Sequence, residues 1–190
     1  MSTHYSWRQL KQDLSKDIAS YLKYSGEYHD VGQSWKQKIS SLLIPSVFAC
    51  CLYRLSHWAY CHNVFWMAIW LARFNLWLTG VSISPNSQIG GGFYIAHPVA
   101  IVFQGYAGTN FHMFAGSAVL EAQNVPFCIS TNTKSVHIGN NVALGAKAVI
   151  CGNVTIGDNV KVGFNTYVDS DIPSNVIVVN RHIRNKSMAS

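Results

Sequence analysis

Charge is scarce in this chain. Only 12% of its 190 residues are Asp, Glu, Lys or Arg, whereas 49% are hydrophobic. A monomeric protein in water needs more charged surface than this, so we expect partner subunits or lipid to cover part of it. The net charge of +6 is thinly spread, with no basic run and no nucleic-acid motif. Nucleic acid is therefore not expected as a partner, and small phosphate-bearing molecules are favoured.

The cysteines show no metal-ligand spacing. The five cysteines are odd in number and lack the paired spacing of zinc sites, so we predict no metal. They are interpreted as small apolar core residues in a reducing compartment. No charged segment followed by a short apolar run opens the chain, so we expect no signal peptide and a cytoplasmic protein.

The segment 136–173 repeats with a period of six residues. An aliphatic residue opens each six, Gly usually follows it, and a small or β-branched residue lies four places later. The opening residues are Ile138, Leu144, Ile150, Ile156, Val162 and Val168. A helix would need apolar residues at i, i+3, i+4 and i+7 instead. A period of six is typical of a parallel β-helix, in which three sixes make one triangular coil.

The same period begins earlier in weaker form, with Ile83, Ile89, Ile95 and Ile101 six residues apart. The polar segment 121–135 breaks the period and is predicted to be a loop that leaves the prism. We therefore predict a mainly β protein in three parts. These are an α-helical region over 1–80, a β-helix over 81–178 and a basic tail over 179–190.

The N-terminal region contains one polar and two very apolar segments. Apolar residues every four positions predict a helix from about Trp7 to Tyr24, and residues 42–53 and 64–78 are almost entirely apolar. The favoured interpretation is a pair of helices buried against each other and against neighbouring subunits. The alternative is peripheral membrane contact through 42–79, because Trp, Tyr and Arg favour the interface. Neither segment reaches the ~20 uninterrupted apolar residues of a spanning helix.

His97 is the strongest candidate for chemistry. It lies two residues after Ile95, which points inward, so its side chain is expected to project from a rigid prism face. A neutral imidazole there can take a proton from a hydroxyl at neutral pH. The alternative is a surface or interface histidine without a role.

Three segments resemble one known family. Residues 81–97, which end at His97, resemble the stretch that leads to the catalytic histidine of serine O-acetyltransferases and related hexapeptide-repeat acyltransferases. Residues 144–163 are similar to their acetyl-CoA-binding coils, and residues 52–58 resemble a helix that precedes their prism. The resemblance implies a left-handed parallel β-helix and a homotrimer with active sites between subunits. It also implies acetyl-CoA as a co-substrate and no permanently bound cofactor.

The resemblance assigns roles to particular residues. His97 is the general base, and the backbone of Gly145 and Ala146 lines the path of the pantetheine arm. Phe164 takes a position where the family usually has a small residue. Contacts to the phosphates of CoA are expected from three basic residues, Arg181, Arg184 and Lys186. A solvated basic tail is an equal alternative for these three.

Several positions depart from the family pattern. Ser82, Ala96 and Ser135 stand where serine acetyltransferases have Asp, Asp and His, the groups that orient the base and bind a free amino acid. Glu121 is the only acidic residue between Asp30 and Asp158. It is a candidate to orient His97 or bind the acceptor, with a solvated loop residue as the alternative. His112 is a second candidate of this kind.

We therefore predict a CoA-dependent O-acyltransferase, in the first place an acetyltransferase. The acceptor is expected to be a hydroxyl of a sugar, a lipid-linked intermediate or a natural product, and free serine is expected to be a poor acceptor. Three alternatives stay open: a serine O-acetyltransferase of cysteine biosynthesis, a longer-chain acyltransferase and a non-catalytic trimeric scaffold.

Overall fold

A computed structural model describes residues 5–24, 44–121 and 135–179. Three helices come first within these ranges: α1 (Trp7–Tyr24), α2 (Pro45–Cys61) and α3 (Phe65–Thr79). The predicted helix over 7–24 is confirmed. No helix of the described ranges is long and apolar enough to cross a membrane.

The rest of the described chain is a solenoid of short strands. The strands are β1 (Val81–Ile83), β2 (Gln88–Ile89), β3 (Tyr94–Ile95), β4 (Ile101–Phe103), β5 (Tyr106–Ala107), β6 (His112–Met113), β7 (Ala118–Leu120), β8 (His137–Ile138), β9 (Ala143–Leu144), β10 (Val149–Cys151), β11 (Thr155–Ile156), β12 (Lys161–Val162), β13 (Tyr167–Val168) and β14 (Ile177–Val178). They form three parallel sheets with the orders β1-β4-β7-β10-β13, β11-β8-β5-β2 and β14-β12-β9-β6-β3. The chain returns to the same sheet after three strands, and the predicted left-handed parallel β-helix is confirmed.

The solenoid buries the residue that opens each six and, in most coils, the residue four places later, such as Val142 and Val160. In the third sheet Ile95 pairs with Met113, Met113 with Leu144, and Leu144 with Val162. All four side chains are buried in the core of the prism. The period of six therefore arises because the same positions of each six point inward and stack on their equivalents in the next coil.

Asparagines form a ladder along one corner of the prism. Asn110, Asn141, Asn159 and Asn175 all have a positive φ, and neighbouring amides are joined by hydrogen bonds of 2.9, 3.1 and 2.9 Å. Asn tolerates this left-handed conformation better than most residues and supplies a donor and an acceptor to the next coil. The positive φ and the amide hydrogen bonds together explain why Asn recurs at this corner.

Replacing Asn159 by Ala is expected to lower the free energy of unfolding by roughly 1–3 kcal/mol. Ala loses both ladder bonds and takes a φ of 57° that its Cβ disfavours. The matched control Asn159→Gly loses the bonds but adopts this φ freely, so it should be the milder change in urea unfolding. Equal losses in the two variants would show that the backbone conformation contributes nothing.

The cysteines are not all thiols. Cys50, Cys51 and Cys61 are free, but Cys151 is disulfide-bonded. The interpretation of every cysteine as an apolar core thiol is wrong at Cys151. Cysteine usage consequently gives no argument for a reducing compartment.

Candidate active site

His97 lies just beyond the end of β3, at the corner that leads to the first sheet. Its side chain is exposed, while Ile95 two residues earlier is buried. The backbone is held on both sides, because Ala96 N–H donates to the carbonyl of Met113 at 3.0 Å and Val99 N–H to the carbonyl of His97 at 2.9 Å. The imidazole is therefore presented outward from a fixed backbone.

The described ranges provide no partner that orients this imidazole. Its ring makes no hydrogen bond or ion pair with any residue of 5–24, 44–121 or 135–179. A base in this position would have to be oriented by the acceptor or by a group outside these ranges. Within the same ranges, no three His, Cys, Asp or Glu side chains are grouped to hold a metal ion.

A buried ion pair holds the segment that leads to His97, and the sequence did not reveal it. The guanidinium of Arg54 in α2 donates from Nε to Asp17 of α1 at 2.9 Å, and both side chains are almost wholly buried. Arg54 also donates to the carbonyls of Ile89 and Gly90. Asp17 accepts from the N–H groups of Gly92 and Phe93 at 2.9 and 2.8 Å. We call these two residues the Asp17–Arg54 clamp.

The clamp joins both helices to the triple-glycine turn, Gly90–Gly92, which directly precedes β3 and His97. Burial raises the pKa of the Asp17 carboxyl, although the charge of Arg54 and the bonds it accepts oppose this. Burial favours loss of the proton from Arg54, but the charge of Asp17 outweighs this and raises the pKa of the guanidinium. Arg54 is consequently cationic at every pH at which the protein is folded. A charged residue inside an apolar helix signals a buried partner, but sequence spacing could not identify Asp17.

His112 lies on the outer side of the third sheet, where it pairs with Tyr94. The rings of Tyr24 and Tyr94 pack edge-on against its imidazole at 4.6 and 5.3 Å. Its Nε2 is buried without a hydrogen-bond partner in the described ranges. Burial, and then the charge of Lys23, lower the pKa of His112, so the ring is neutral near pH 7. It is packed as an aromatic residue and makes no contact with His97.

Ser82 and Glu121 lie at different places on the prism. Ser82 is half-buried in the middle of β1 and lines a groove of ≈ 270 Å³ between α3 and the prism, together with Arg73, Phe103 and Gln104. Glu121 directly follows β7 and is half-exposed. Neither side chain bonds His97 among the described residues, so the structure does not bring together the groups suggested to orient the base.

The residues assigned to CoA divide into two groups. Gly145, Ala146 and Phe164 share neighbouring coils, and Phe164 is 69% exposed on the prism surface. A Cβ at Gly145 would meet the backbone of Gly163 and Phe164 at 2.9 and 2.8 Å, so the spacing of the coils alone explains this glycine. Arg181, Arg184 and Lys186 lie outside the described residues, as does most of the loop predicted at 121–135.

Known proteins resemble this chain in sequence and fold. Residues 135–170 match the family model described as bacterial transferase hexapeptide (six repeats). The serine acetyltransferase of Helicobacter pylori (strain ATCC 700392 / 26695) is 30% identical over 140 residues, which are 70% of this chain and 76% of that protein.

Solved structures of serine acetyltransferases agree in fold. The Neisseria gonorrhoeae enzyme has a TM-score of 0.76 at 23% identity, covering 91% of this chain and 64% of its own. A second structure of that enzyme is a complex with serine. The Brucella abortus S19 enzyme in complex with coenzyme A has a TM-score of 0.77 at 20% identity, covering 94% of this chain and 68% of its own.

Length distinguishes this chain from some of these relatives, since it spans less than two thirds of the Neisseria enzyme. The match to the Helicobacter protein, in contrast, extends over most of both sequences. The chain belongs to the serine acetyltransferase family of hexapeptide-repeat transferases, and the predicted enzyme class, an O-acetyltransferase, is confirmed.

Proposed function

We propose that the protein transfers an acetyl group from acetyl-CoA to a hydroxyl, with His97 as the general base. The observation that carries this proposal is the exposed imidazole on a backbone fixed by β3 and the Asp17–Arg54 clamp. The imidazole removes the hydroxyl proton while the oxygen attacks the thioester carbonyl. The C–O bond forms, the C–S bond breaks, and the proton passes from His97 to the departing thiolate.

The acyl donor is proposed to lie along the coils that contain Gly145, Ala146 and Phe164. Support comes from the coenzyme A complex of the Brucella relative, which has the same fold. Exposed apolar side chains on the prism, such as Val99 and Ile177, favour assembly into the predicted homotrimer, which would bury them. We propose that each active site lies between two subunits in the cytoplasm.

For the acceptor, the names of the relatives favour serine over the sugar or lipid-linked hydroxyl predicted from the sequence. Serine is consequently the first candidate. A specific observation favours an uncharged hydroxyl as the second: Ser82 lies in a groove whose described lining contains one cation, Arg73, and no carboxylate. Such a lining offers nothing to pair with an ammonium group.

A thiol-release assay with acetyl-CoA separates these candidates. Serine turnover of roughly 10 per second or more is the rate of a dedicated metabolic enzyme. A preference for neutral hydroxyls would favour the second candidate, and a preference for longer acyl-CoA donors the longer-chain alternative. The absence of thiol release with every acceptor and every acyl-CoA donor would leave the non-catalytic scaffold.

A carboxylate introduced at Ser82 is expected to raise kcat/KM for serine and not for neutral acceptors. Ser82→Asp supplies the group that the family has at this position, so kcat/KM for serine should rise relative to that for a neutral hydroxyl. Ser84→Asp is the matched control, because Ser84 lines the same groove without standing at the family's acidic position. An equal change in both variants would point to a general effect of charge in the groove.

Replacing Arg181, Arg184 and Lys186 together by Gln is expected to raise the Kd for CoA. The effect should be larger at low salt, because exposed charge contacts are screened by ions. Calorimetric titration at two ionic strengths measures it, with Arg8→Gln as a control cation exposed on α1. A Kd that is the same as that of the unchanged protein at both ionic strengths would assign the tail to solvent.

A further inference from the structure

Helix α3 turns its large apolar side chains away from the protein. Its buried residues are the small or polar Ala68, Asn75 and Thr79. Trp66, Trp70 and Trp77 are 74%, 59% and 81% exposed. Helix α2 buries ten of its residues within the chain, whereas α3 leaves its large side chains exposed there, and the burial of these helices against neighbouring subunits stays a prediction.

The exposed tryptophans form one stripe. At about 100° per residue, Trp66, Trp70 and Trp77 lie within about 40° of one another around the helix axis. Arg73 falls at the edge of the same stripe and is also exposed, on the side where it lines the groove that contains Ser82. The buried residues lie on the opposite side, so the three tryptophans of this Trp–Arg stripe point outward from the molecule.

The shape of this surface favours a fluid partner. Further apolar side chains are exposed on the flanks of the stripe, namely Phe65, Ile69, Leu76 and Leu78. Together with the stripe they cover more than half of the helix circumference, and Ile69 and Leu76 also border the groove that contains Ser82. A second protein copy would need a matching concave surface, whereas lipid adapts to a convex helix.

Charge favours an anionic partner. Residues 31–120 contain no Asp or Glu, so α2, α3 and the first coils have no negative side chain to repel an anionic surface. The nearest acidic residues on α1, Asp13 and Asp17, face the buried Arg54. Arg73 is therefore a cation among exposed tryptophans, and no carboxylate lies in this part of the described chain. Tryptophan and arginine together are typical of protein surfaces at membrane interfaces.

We propose that α3 docks in the plane of an anionic lipid bilayer. Its 15 residues extend about 22 Å, less than the ~30 Å hydrocarbon core, so the helix lies in the interface and does not cross it. Trp66, Trp70 and Trp77 enter the headgroup boundary, and Arg73 contacts lipid phosphates. This proposal does not depend on the acceptor or on His97.

Co-sedimentation of the full chain with vesicles tests the proposal. We expect binding to equimolar phosphatidylcholine and phosphatidylglycerol, weaker binding to phosphatidylcholine alone, and a loss of the difference in high salt. Trp70→Gln/Trp77→Gln should weaken binding about 10-fold or more on both vesicles, because both lose apolar contact. Arg73→Gln should weaken binding on the anionic vesicles alone.

Trp7→Gln is the matched control, because Trp7 is 52% exposed but lies on α1. Circular dichroism verifies that each variant is folded, and acetyl-CoA turnover with a soluble acceptor should be unchanged in Trp70→Gln/Trp77→Gln and in Trp7→Gln. No vesicle binding, or equal binding by the double variant, would overturn the proposal. Sedimentation velocity in which the double variant alone loses a larger oligomer would also overturn it and assign the stripe to a second copy.

Discussion

Turnover should fall by ~10²–10⁴ when His97 is replaced by Ala, which is the usual contribution of general acid–base catalysis. The imidazole is exposed, and the described part of the chain offers no other histidine at the end of β3. The Kd for CoA should change little, since the base contacts the acceptor hydroxyl and not the nucleotide. Steady-state kinetics with acetyl-CoA and titration with CoA measure the two quantities separately.

Two other histidines serve as controls for that experiment. His137 is exposed and stacks on Tyr106 at 4.8 Å, so His137→Ala removes a surface imidazole of similar accessibility. His112 is the next candidate base, although burial lowers its pKa and two tyrosines enclose it. Near-full turnover in His97→Ala, with a large loss of turnover in His112→Ala, would identify His112 as the base.

The fold could be predicted from the sequence because its signal is local and repeated. The same inward positions in every six produce the period, and stacked coils such as those of Leu144 and Val162 repeat that requirement. The helices gave a weaker signal. The exposure of Trp66 and Trp77 could not be predicted, because the sequence records that a segment is apolar and not which surface covers it.

The candidate site was only partly predictable for a related reason. His97 stands in a recognisable local context, and its exposed position follows from the phase of the strand. In the clamp, Asp17 and Arg54 are 37 residues apart in sequence, and Arg54 bonds Ile89 a further 35 residues along the chain. No local sequence pattern encodes such contacts. Glu121 shows the converse: it is prominent in the sequence because acids are rare there, yet it makes no contact with His97 among the described residues.

Replacing Arg54 by Met is expected to lower the free energy of unfolding by roughly 3–5 kcal/mol. The change leaves the Asp17 carboxylate buried without its counter-ion and removes the donors to Ile89 and Gly90. Asp17→Asn keeps an acceptor for the N–H groups of Gly92 and Phe93 but leaves the buried Arg54 cation with Asp13 at 3.8 Å as its counter-ion, so a loss of similar size, roughly 3–5 kcal/mol, is expected. Urea unfolding measures both losses.

The same variants separate a purely structural clamp from one that also positions the base. The turn that the clamp holds leads directly into β3 and His97, so a shift of a few tenths of an ångström there moves the imidazole relative to the acceptor. Ile156→Ala is the matched control, because it removes a fully buried side chain from a coil distant from His97 at a similar cost of about 2–5 kcal/mol. We expect kcat, measured where all variants are folded, to fall at least about 10-fold further in Arg54→Met than in Ile156→Ala, with KM for acetyl-CoA unchanged. Equal kcat in two variants of equal stability would limit the Asp17–Arg54 clamp to folding, since a loss of stability alone lowers the amount of active protein and not the rate of each active site.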